Sequence, residues 1–269
     1  MMAFLKKIII CFCFFVTTAQ AEVLFGVDIA IDQLVTIDTT TGDVTNVGAL
    51  GFGNVRDLSF DSTDALFGVD ISVDQLLSID PFTGAATAIG AIGFGNVRAL
   101  SFDGTDTLFG VDNNTDSLIT INTITGAGTF IGPVGFANIT AIAFDSQGNL
   151  FGAVGGTGNE LISIDPITGV GTSIGNFNAI NVAQGISFNS EDVLFGVDAG
   201  LDQLATIDTA TGNATIIAPV TGNIQGIAFS NTVPEPSTYI LLFLLVCLYL
   251  YRRSKTNTSK SKPKLLSSI

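Results

Sequence analysis

The chain has no histidine and no tryptophan, and its few cysteines lie only near the two ends. Without histidine, the commonest general base of hydrolases and the commonest protein ligand of transition metals are both missing. Cys11, Cys13 and Cys247 all fall in apolar terminal segments. The body between those segments therefore offers neither a disulfide framework nor a cysteine-based metal site.

Basic residues are almost as scarce in the body. Between Glu22 and Ser230, Arg56 and Arg98 are the only two basic residues against 23 acidic ones, so this segment carries a net charge of −21. Such a charge repels nucleic acid and anionic lipid and attracts cations. We therefore expect no nucleic-acid partner. Tyrosine is also missing from the body, which leaves it without the side chains that most often stack on sugar rings.

The first 21 residues have the order of a secretory signal peptide. Two lysines precede an apolar run over residues 8–16, and the small residues Ala19 and Ala21 follow it. A charged stretch, an apolar stretch and a small-x-small stretch in this order are typical of a segment that signal peptidase removes. We expect cleavage before Glu22. The alternative is an uncleaved anchor helix, for which the apolar run is short.

Residues 231–269 contain a second targeting pattern. An extended, proline-containing motif precedes a short apolar stretch at 239–251, and Arg252 and Arg253 open a basic tail. The motif consists of Val233, Pro234, Glu235, Pro236, Ser237 and Thr238. Its prolines favour an extended, accessible backbone. The apolar stretch predicts a short transmembrane helix, although a spanning helix usually needs about twenty residues, and the basic cluster is expected to stay in the cytoplasm.

Together these three parts resemble a PEP-CTERM sorting signal. The resemblance covers residues 233–253 and implies that an exosortase processes the chain at the Pro-Glu-Pro motif. It also implies transient anchoring in the inner membrane of a Gram-negative bacterium that makes extracellular polysaccharide. The expected destination is then the cell surface or the extracellular matrix. A simple C-terminal membrane anchor is the alternative.

The body, residues 22–230, is a fivefold repeat. "LFGVD" begins at Leu24, Leu66, Leu108 and Leu194, and "LFGAV" begins at Leu150. Each copy contains four short segments of strand composition separated by Gly, Asp and Asn turns. A period of about 40 residues with four strands per unit is the pattern of β-propeller blades, whereas the coils of a parallel β-helix are shorter. We predict an all-β, five-bladed propeller of four-stranded antiparallel blades, with terminal signal and anchor helices. The body also resembles uncharacterised repeat domains that often precede PEP-CTERM tails, and that resemblance implies no activity.

The phase of the repeat predicts how the ring closes. "VRDLSF" and its copies have small residues at alternate positions, as strands crowded at the central axis require. With these as the innermost strands, the chain begins on the second strand of a blade and ends on an unpaired inner strand, 224–229. We therefore expect a composite blade that combines this C-terminal strand with three N-terminal strands.

One face of the predicted propeller should gather two sets of polar residues. The first is a ring at the mouth of the central channel, formed by Arg56, Arg98, Thr140, Gln184 and Gln225. The arginines could hold an anionic group such as a uronate carboxylate, or they could pair with local aspartates, Asp57 above all. The second set is a D-x-x-x-D loop in four blades, formed by Asp28, Asp32, Asp70, Asp74, Asp112, Asp116, Asp198 and Asp202. These loops could bind Ca²⁺ or could be ordinary turns, since Asp is a frequent turn residue.

The sequence favours a non-catalytic scaffold or binding module associated with extracellular polysaccharide. A catalytic site normally breaks symmetry, and the aspartates recur in register. Glu160, in the one irregular blade, is the only candidate for a glycosidase carboxylate. A glycosidase-like enzyme and a Ca²⁺-dependent lectin are the alternatives, and no cofactor other than Ca²⁺ is expected.

Overall fold

A computed structural model describes residues 22–231, and every regular element in that range is a β-strand. The strands are, in chain order, β1 (Leu24–Asp28), β2 (Gln33–Ile37), β3 (Val44–Ala49), β4 (Val55–Phe60), β5 (Leu66–Asp70), β6 (Gln75–Ile79), β7 (Ala86–Ala91), β8 (Val97–Phe102), β9 (Leu108–Asp112), β10 (Ser117–Ile121), β11 (Gly128–Pro133), β12 (Ile139–Phe144), β13 (Leu150–Val154), β14 (Glu160–Ile164), β15 (Gly171–Asn176), β16 (Gly185–Phe188), β17 (Leu194–Asp198), β18 (Gln203–Ile207), β19 (Ala214–Pro219) and β20 (Ile224–Phe229).

These strands form five antiparallel, four-stranded sheets. The first blade has the order β20-β1-β2-β3, and the second to fifth blades each contain four consecutive strands. The innermost strands β4, β8, β12, β16 and β20 contact one another around the ring. The predicted five-bladed propeller is therefore confirmed, including the composite blade, in which Leu24 lies opposite Phe229. The predicted terminal helices lie outside the described residues.

The chain divides into two units, Met1–Thr232 and Val233–Ile269, and the second unit lies outside the described residues. Within residues 22–231 no helix is long and apolar enough to cross a membrane. All the strand pairings that close the ring lie between Leu24 and Phe229. The ring therefore needs no residue of the second unit to complete its sheets.

The hydrophobic core consists of five separate clusters, one between each pair of neighbouring blades. Each junction also contains one pair of phenylalanine rings from an inner strand and the second strand of the adjacent blade. In the pair Phe109–Phe144, for example, the ring centroids are 5.1 Å apart and the planes meet at 60°. Edge-on pairs of this kind stabilise the fold by about 0.5–1.5 kcal/mol beyond the contribution of the apolar area that they bury. The invariant Phe of "LFG" in each copy therefore stabilises a blade junction.

The turn between the third and fourth strands of each blade contains a Thr-Gly pair, and these Thr-Gly corners lie at the blade junctions. Their glycines are Gly42, Gly84, Gly126, Gly169 and Gly212. A Cβ on Gly90, in an outer strand, would lie 2.2 Å from the carbonyl oxygen of Thr125, in a corner of the next blade. The same contact recurs between Gly48 and Thr83, with a Cβ distance of 2.0 Å. Only glycine permits so close an approach of two backbones. From the sequence these corners look like ordinary hairpin turns, whereas in the structure they also bring adjacent blades together.

Carboxylates that accept hydrogen bonds from the next blade link neighbouring blades on the face to which these corners belong. Asp106 accepts hydrogen bonds from the backbone N–H of Ser62, at 2.8 Å, and from its hydroxyl, at 2.7 Å. Asp192 bonds Ser146 in the same way. At the junction of the third and fourth blades the corresponding positions are Gly104 and Gly148, which have no carboxylate to offer. The polar residues of this face therefore form hydrogen bonds between the turns of adjacent blades.

Candidate functional site

The five residues of the predicted polar ring surround one cavity on the channel axis. The cavity has a volume of about 250 Å³ and is lined by Arg56, Arg98, Asn138, Thr140, Gly156, Val182, Gln184 and Gln225. Each blade contributes one member of the ring, from its inner strand or the residue just before it. The lining contains two cations, several neutral amide and hydroxyl groups, and no carboxylate from the described part of the chain. It is thus suited to an anion that also carries hydrogen-bonding groups.

In three of the five blades the ring residue lies at an irregularity in the pairing of the inner strand. The β8–β9 register shifts between Val97 and Ala99, so Arg98 has no partner across the ladder. Thr140 is the unpaired residue of β12 in the same way, and the β4–β5 register shifts across Arg56. A β-bulge changes the direction of a side chain that would otherwise face a neighbouring blade. The sequence pattern did not predict these bulges.

Two asparagines hold the arginines in place. The Nε of Arg56 donates to Oδ1 of Asn54 at 2.7 Å, and the Nε of Arg98 donates to Oδ1 of Asn96 at 2.8 Å. Both asparagines have a φ of 78°, a left-handed conformation that Asn tolerates better than most residues. Sequence reasoning missed these residues, although a signal was present, since an Asn stands two positions before the ring residue in four of the five blades.

The guanidinium groups of the mouth have no carboxylate partner among the described residues. Arg56 also donates a hydrogen bond from its Nη1 to Oε1 of Gln225, at 3.0 Å. The alternative in which Asp57 pairs with the arginines is wrong, because its two oxygens accept from the N–H of Leu58, at 2.9 Å, and of Leu100, at 2.8 Å. The bulge places Asp57 against the third blade, away from the mouth. The two cations are thus left available to a ligand.

The electrostatics of the mouth follow from this arrangement. Burial, together with the nearby charge of Arg98, lowers the pKa of Arg56 from its usual value. Two cations that are close together, partly desolvated and unneutralised repel each other. A bound anion would relieve this repulsion and form charge-assisted hydrogen bonds with both groups. The mouth is therefore a cationic site within a strongly acidic body.

A tightly packed layer forms the floor of the mouth. Its members follow the ring residues in sequence and are all buried: Asp57, Ala99, Ala141, Gly185 and Gly226. A Cβ on Gly226 would lie 2.4 Å from the Cα of Asp57, and one on Gly185 would lie 2.9 Å from the Cα of Gly226. A second cavity of about 140 Å³ lies beyond this layer, and no floor residue lines either cavity. The mouth is therefore closed at its inner end.

The acidic loops open on the same face but use their first aspartates to cap their own turns. Asp28, Asp70, Asp112 and Asp198 are buried. Asp28, for example, accepts from the N–H of Ala30 at 2.9 Å and from that of Asn223 at 3.3 Å. The second aspartates, Asp32, Asp74, Asp116 and Asp202, have φ values between 49° and 54°. Within residues 22–231 no three acidic, His or Cys side chains form a group that could hold a metal ion. Calcium binding stays a prediction.

The irregular fourth blade shapes the mouth by lacking side chains. Gly156 lines the cavity, and a Cβ on Gly155 would lie 2.9 Å from both Nδ2 of Asn138 and Cγ2 of Thr140. A larger residue at position 155 would therefore displace Asn138 and Thr140, two residues that line the mouth. Glu160, the candidate catalytic carboxylate, does not line the cavity, and its Oε2 accepts a hydrogen bond from the hydroxyl of Ser173.

A larger cavity of about 330 Å³ on the opposite face is lined by several carboxylates. These groups are engaged by nearby turns. Asp61 accepts from the N–H of Thr63 and of Ala65, each at 2.9 Å, and Asp103 accepts from Thr105 and Thr107, each at 2.8 Å. Their arrangement is that of turn caps repeated around the ring.

The predicted targeting residues fall almost entirely outside the described range. Ala19 and Ala21 precede it, and the sorting motif with Arg252 and Arg253 follows it. Glu22, at the predicted cleavage point, is described. Its carboxylate accepts from the N–H of Ser190, with both oxygens at 2.9 Å, and so links the N-terminal segment to the fifth blade.

Comparison with known proteins supports the fold. No protein-family model and no curated protein matches the chain. A chain in the crystal structure of a nidogen/laminin complex aligns with a TM-score of 0.57 and 15% sequence identity, over 79% of this chain and 86% of that chain. A selenomethionine-substituted virginiamycin B lyase from Staphylococcus aureus aligns with a TM-score of 0.45 and 15% identity, over 72% of this chain and 65% of that chain. The first of these likenesses, at 15% identity, shows the β-propeller fold alone.

Proposed function

We propose that this chain is an exported, non-catalytic β-propeller that binds carboxylate groups of extracellular polysaccharide at the cell surface or in the matrix. The observation that carries the proposal is the pair Arg56 and Arg98, fixed by asparagines at the mouth of the channel without a carboxylate partner among residues 22–231. Two adjacent guanidinium groups can form several charge-assisted hydrogen bonds with one carboxylate. The amide and hydroxyl groups of Thr140, Gln184 and Gln225 suit sugar hydroxyls.

The proposed cellular context comes from the two ends of the sequence. The N-terminal signal pattern supports export, and the PEP-CTERM-like motif supports processing by an exosortase after transient anchoring in the inner membrane of a Gram-negative bacterium. Such a protein would reach the compartment that contains the extracellular polysaccharide. A non-catalytic role is favoured because a glycosidase uses two carboxylates, whereas the cavity lining contains none within the described range.

The first test is retention of the isolated ring, residues 22–231, on the acidic extracellular polysaccharide of its own host. The matched control surface is the same polysaccharide after its carboxyl groups have been reduced to primary alcohols. We expect retention on the first surface and loss of retention on the second. Replacing either arginine by glutamine, the residue found at positions 184 and 225, should weaken binding about tenfold or more, because a hydrogen bond to a charged group contributes about 1.5–3 kcal/mol.

A sharper variant supplies the anion from within the protein. Gln225→Glu would place a carboxylate where Oε1 already accepts from Arg56, and it should abolish retention although both arginines are still present. Gln75→Glu is its matched control, because it adds the same charge in a residue that does not line the mouth. Equal loss in the two variants would contradict the proposed site and attribute the effect to net charge.

Calcium provides a second arm of the same experiment. If the acidic loops bridged a cation to the polysaccharide, a chelator would remove retention and the arginine variants would keep it. Retention that persists in chelator and requires Arg56 and Arg98 supports the mouth as the site. If the ring is retained on neither surface in either condition, the binding proposal is wrong and a surface scaffold with a protein partner is the remaining reading.

A further inference from the structure

The shape of the mouth limits how a polysaccharide could enter it. The five residues of the floor layer are all buried and line neither cavity, so this layer closes the inner end of the mouth, and the walls are the five inner strands themselves. A ligand can thus enter and leave only through the open face. An internal sugar residue would need its chain to pass twice through an opening whose cavity holds only about 250 Å³, whereas a chain end passes once.

The charge of the body sets a second limit. Outside the arginine pair the body carries only acidic ionisable groups, and several of them, such as Asp32 and Asp74, lie in loops on the face where the mouth opens. Every further carboxylate on a ligand chain would lie above this acidic surface and be repelled. The site therefore favours a carboxylate that is attached to neutral sugars over one that has further carboxylates next to it on the chain.

Resting on the proposed function, we infer that the mouth recognises the end of a polysaccharide, namely a single terminal hexuronate attached to neutral sugars. In this arrangement the carboxylate meets Arg56 and Arg98, and the hydroxyl groups of the same sugar meet Thr140, Gln184 and Gln225. The partner is thus a chain terminus, and binding stoichiometry should follow the number of chain ends.

Two isomeric trisaccharides test this inference by calorimetry with the isolated ring. Each contains one glucuronate and two glucose residues, with the glucuronate at the non-reducing end in one isomer and in the centre in the other. We expect the terminal isomer to bind with a Kd at least tenfold lower than the central isomer. Free glucuronate should compete with it, and Gln225→Glu should remove binding of both.

The outcomes separate this inference from the proposed function. Equal Kd values for the two isomers, or tighter binding of the central one, would overturn recognition of chain ends while leaving carboxylate-dependent retention of the polysaccharide intact. Failure of both trisaccharides to bind would also overturn it. Loss of the difference between the native and the carboxyl-reduced polysaccharide would instead overturn the proposed function itself.

Discussion

The blade junctions and the channel mouth are built from the same five inner strands, yet they differ in how strictly the repeat is kept. At the junctions every blade contributes the same phenylalanine pair, with centroid distances between 5.1 and 5.5 Å. At the mouth the equivalent position is occupied by Arg, Arg, Thr, Gln and Gln. The junction positions share one packing environment, which requires the same side chain in every blade. The mouth positions line a cavity, so packing does not fix their residue types and these can differ to suit a ligand.

This comparison implies that substitutions in the two regions should have separable effects. Changes at a junction should alter the free energy of unfolding, and changes at the mouth should alter binding with little effect on folding. The following predictions test that separation, from the largest expected effect to the smallest.

Gly90→Ala should have the largest effect on stability. Its Cβ would lie 2.2 Å from the carbonyl oxygen of Thr125, which is backbone and cannot move without shifting a blade. We expect the free energy of unfolding to fall by about 3 kcal/mol, the upper range for an overpacked site, as measured by denaturant titration. Gly104→Ala is the matched control, because nothing lies within 4 Å of the Cβ that it would add. A loss smaller than about 0.5 kcal/mol for Gly90→Ala would show that the corners do not fix the blades.

Asp57, the one ionisable residue of the floor layer, should make the stability of the ring depend on pH. Burial raises the pKa of Asp57 well above its usual value, and the N–H groups of Leu100 and Leu58 oppose this rise only in part. The unfolded chain therefore releases this proton first, so stability falls as the pH rises from about 4 through the folded pKa.

Asp57→Ala removes this dependence and introduces the residue found at positions 99 and 141. The stability of the variant relative to the parent should thus increase as the pH rises, when both are unfolded by denaturant between about pH 4 and pH 8. The other titrating groups contribute almost equally to both proteins. A difference that stays constant with pH would mean that the carboxylate is ionised throughout this range.

Arg56→Gln and Arg98→Gln should have the smallest effects on folding. Each substitution removes one of two cations that repel each other at the mouth. We therefore expect the free energy of unfolding, measured by thermal unfolding, to lie within about 0.5 kcal/mol of that of the parent or slightly above it. Binding to the polysaccharide should nevertheless weaken about tenfold or more, as described above. If either variant lost several kcal/mol, the arginines would be structural residues and the separation between junction and mouth would fail.

Much of the fold could be predicted because the repeat records it directly. The spacing of "LFGVD" indicated the number of blades, and the unpaired segment at 224–229 indicated the composite blade, since each four-stranded unit needs an inner strand. The set of residues at the mouth could also be assembled, because positions in register in a closed ring must meet at its axis. The asparagines that hold the arginines were missed, although their i−2 spacing was visible in the sequence.

Other features could not be inferred from spacing alone. That Asp57 bonds Leu100 rather than an arginine depends on a bulge in β4, and a bulge reflects the balance between ladder pairing and packing against the next blade. The role of Thr125 and Gly90 depends on a backbone approach between residues of different blades. Neither contact can be predicted from the spacing of residues along the chain.

The sequence by itself determined the composition of this protein's parts: an acidic body, five repeated blades, two lone arginines, and ends that resemble export and sorting signals. These follow from which residues are present and how they recur, because periodicity and charge need no knowledge of distance. Only the tertiary structure decided that the channel is closed below its mouth and that the arginines face the cavity without a carboxylate partner among residues 22–231. Both depend on which side chains and backbones meet when the ring closes.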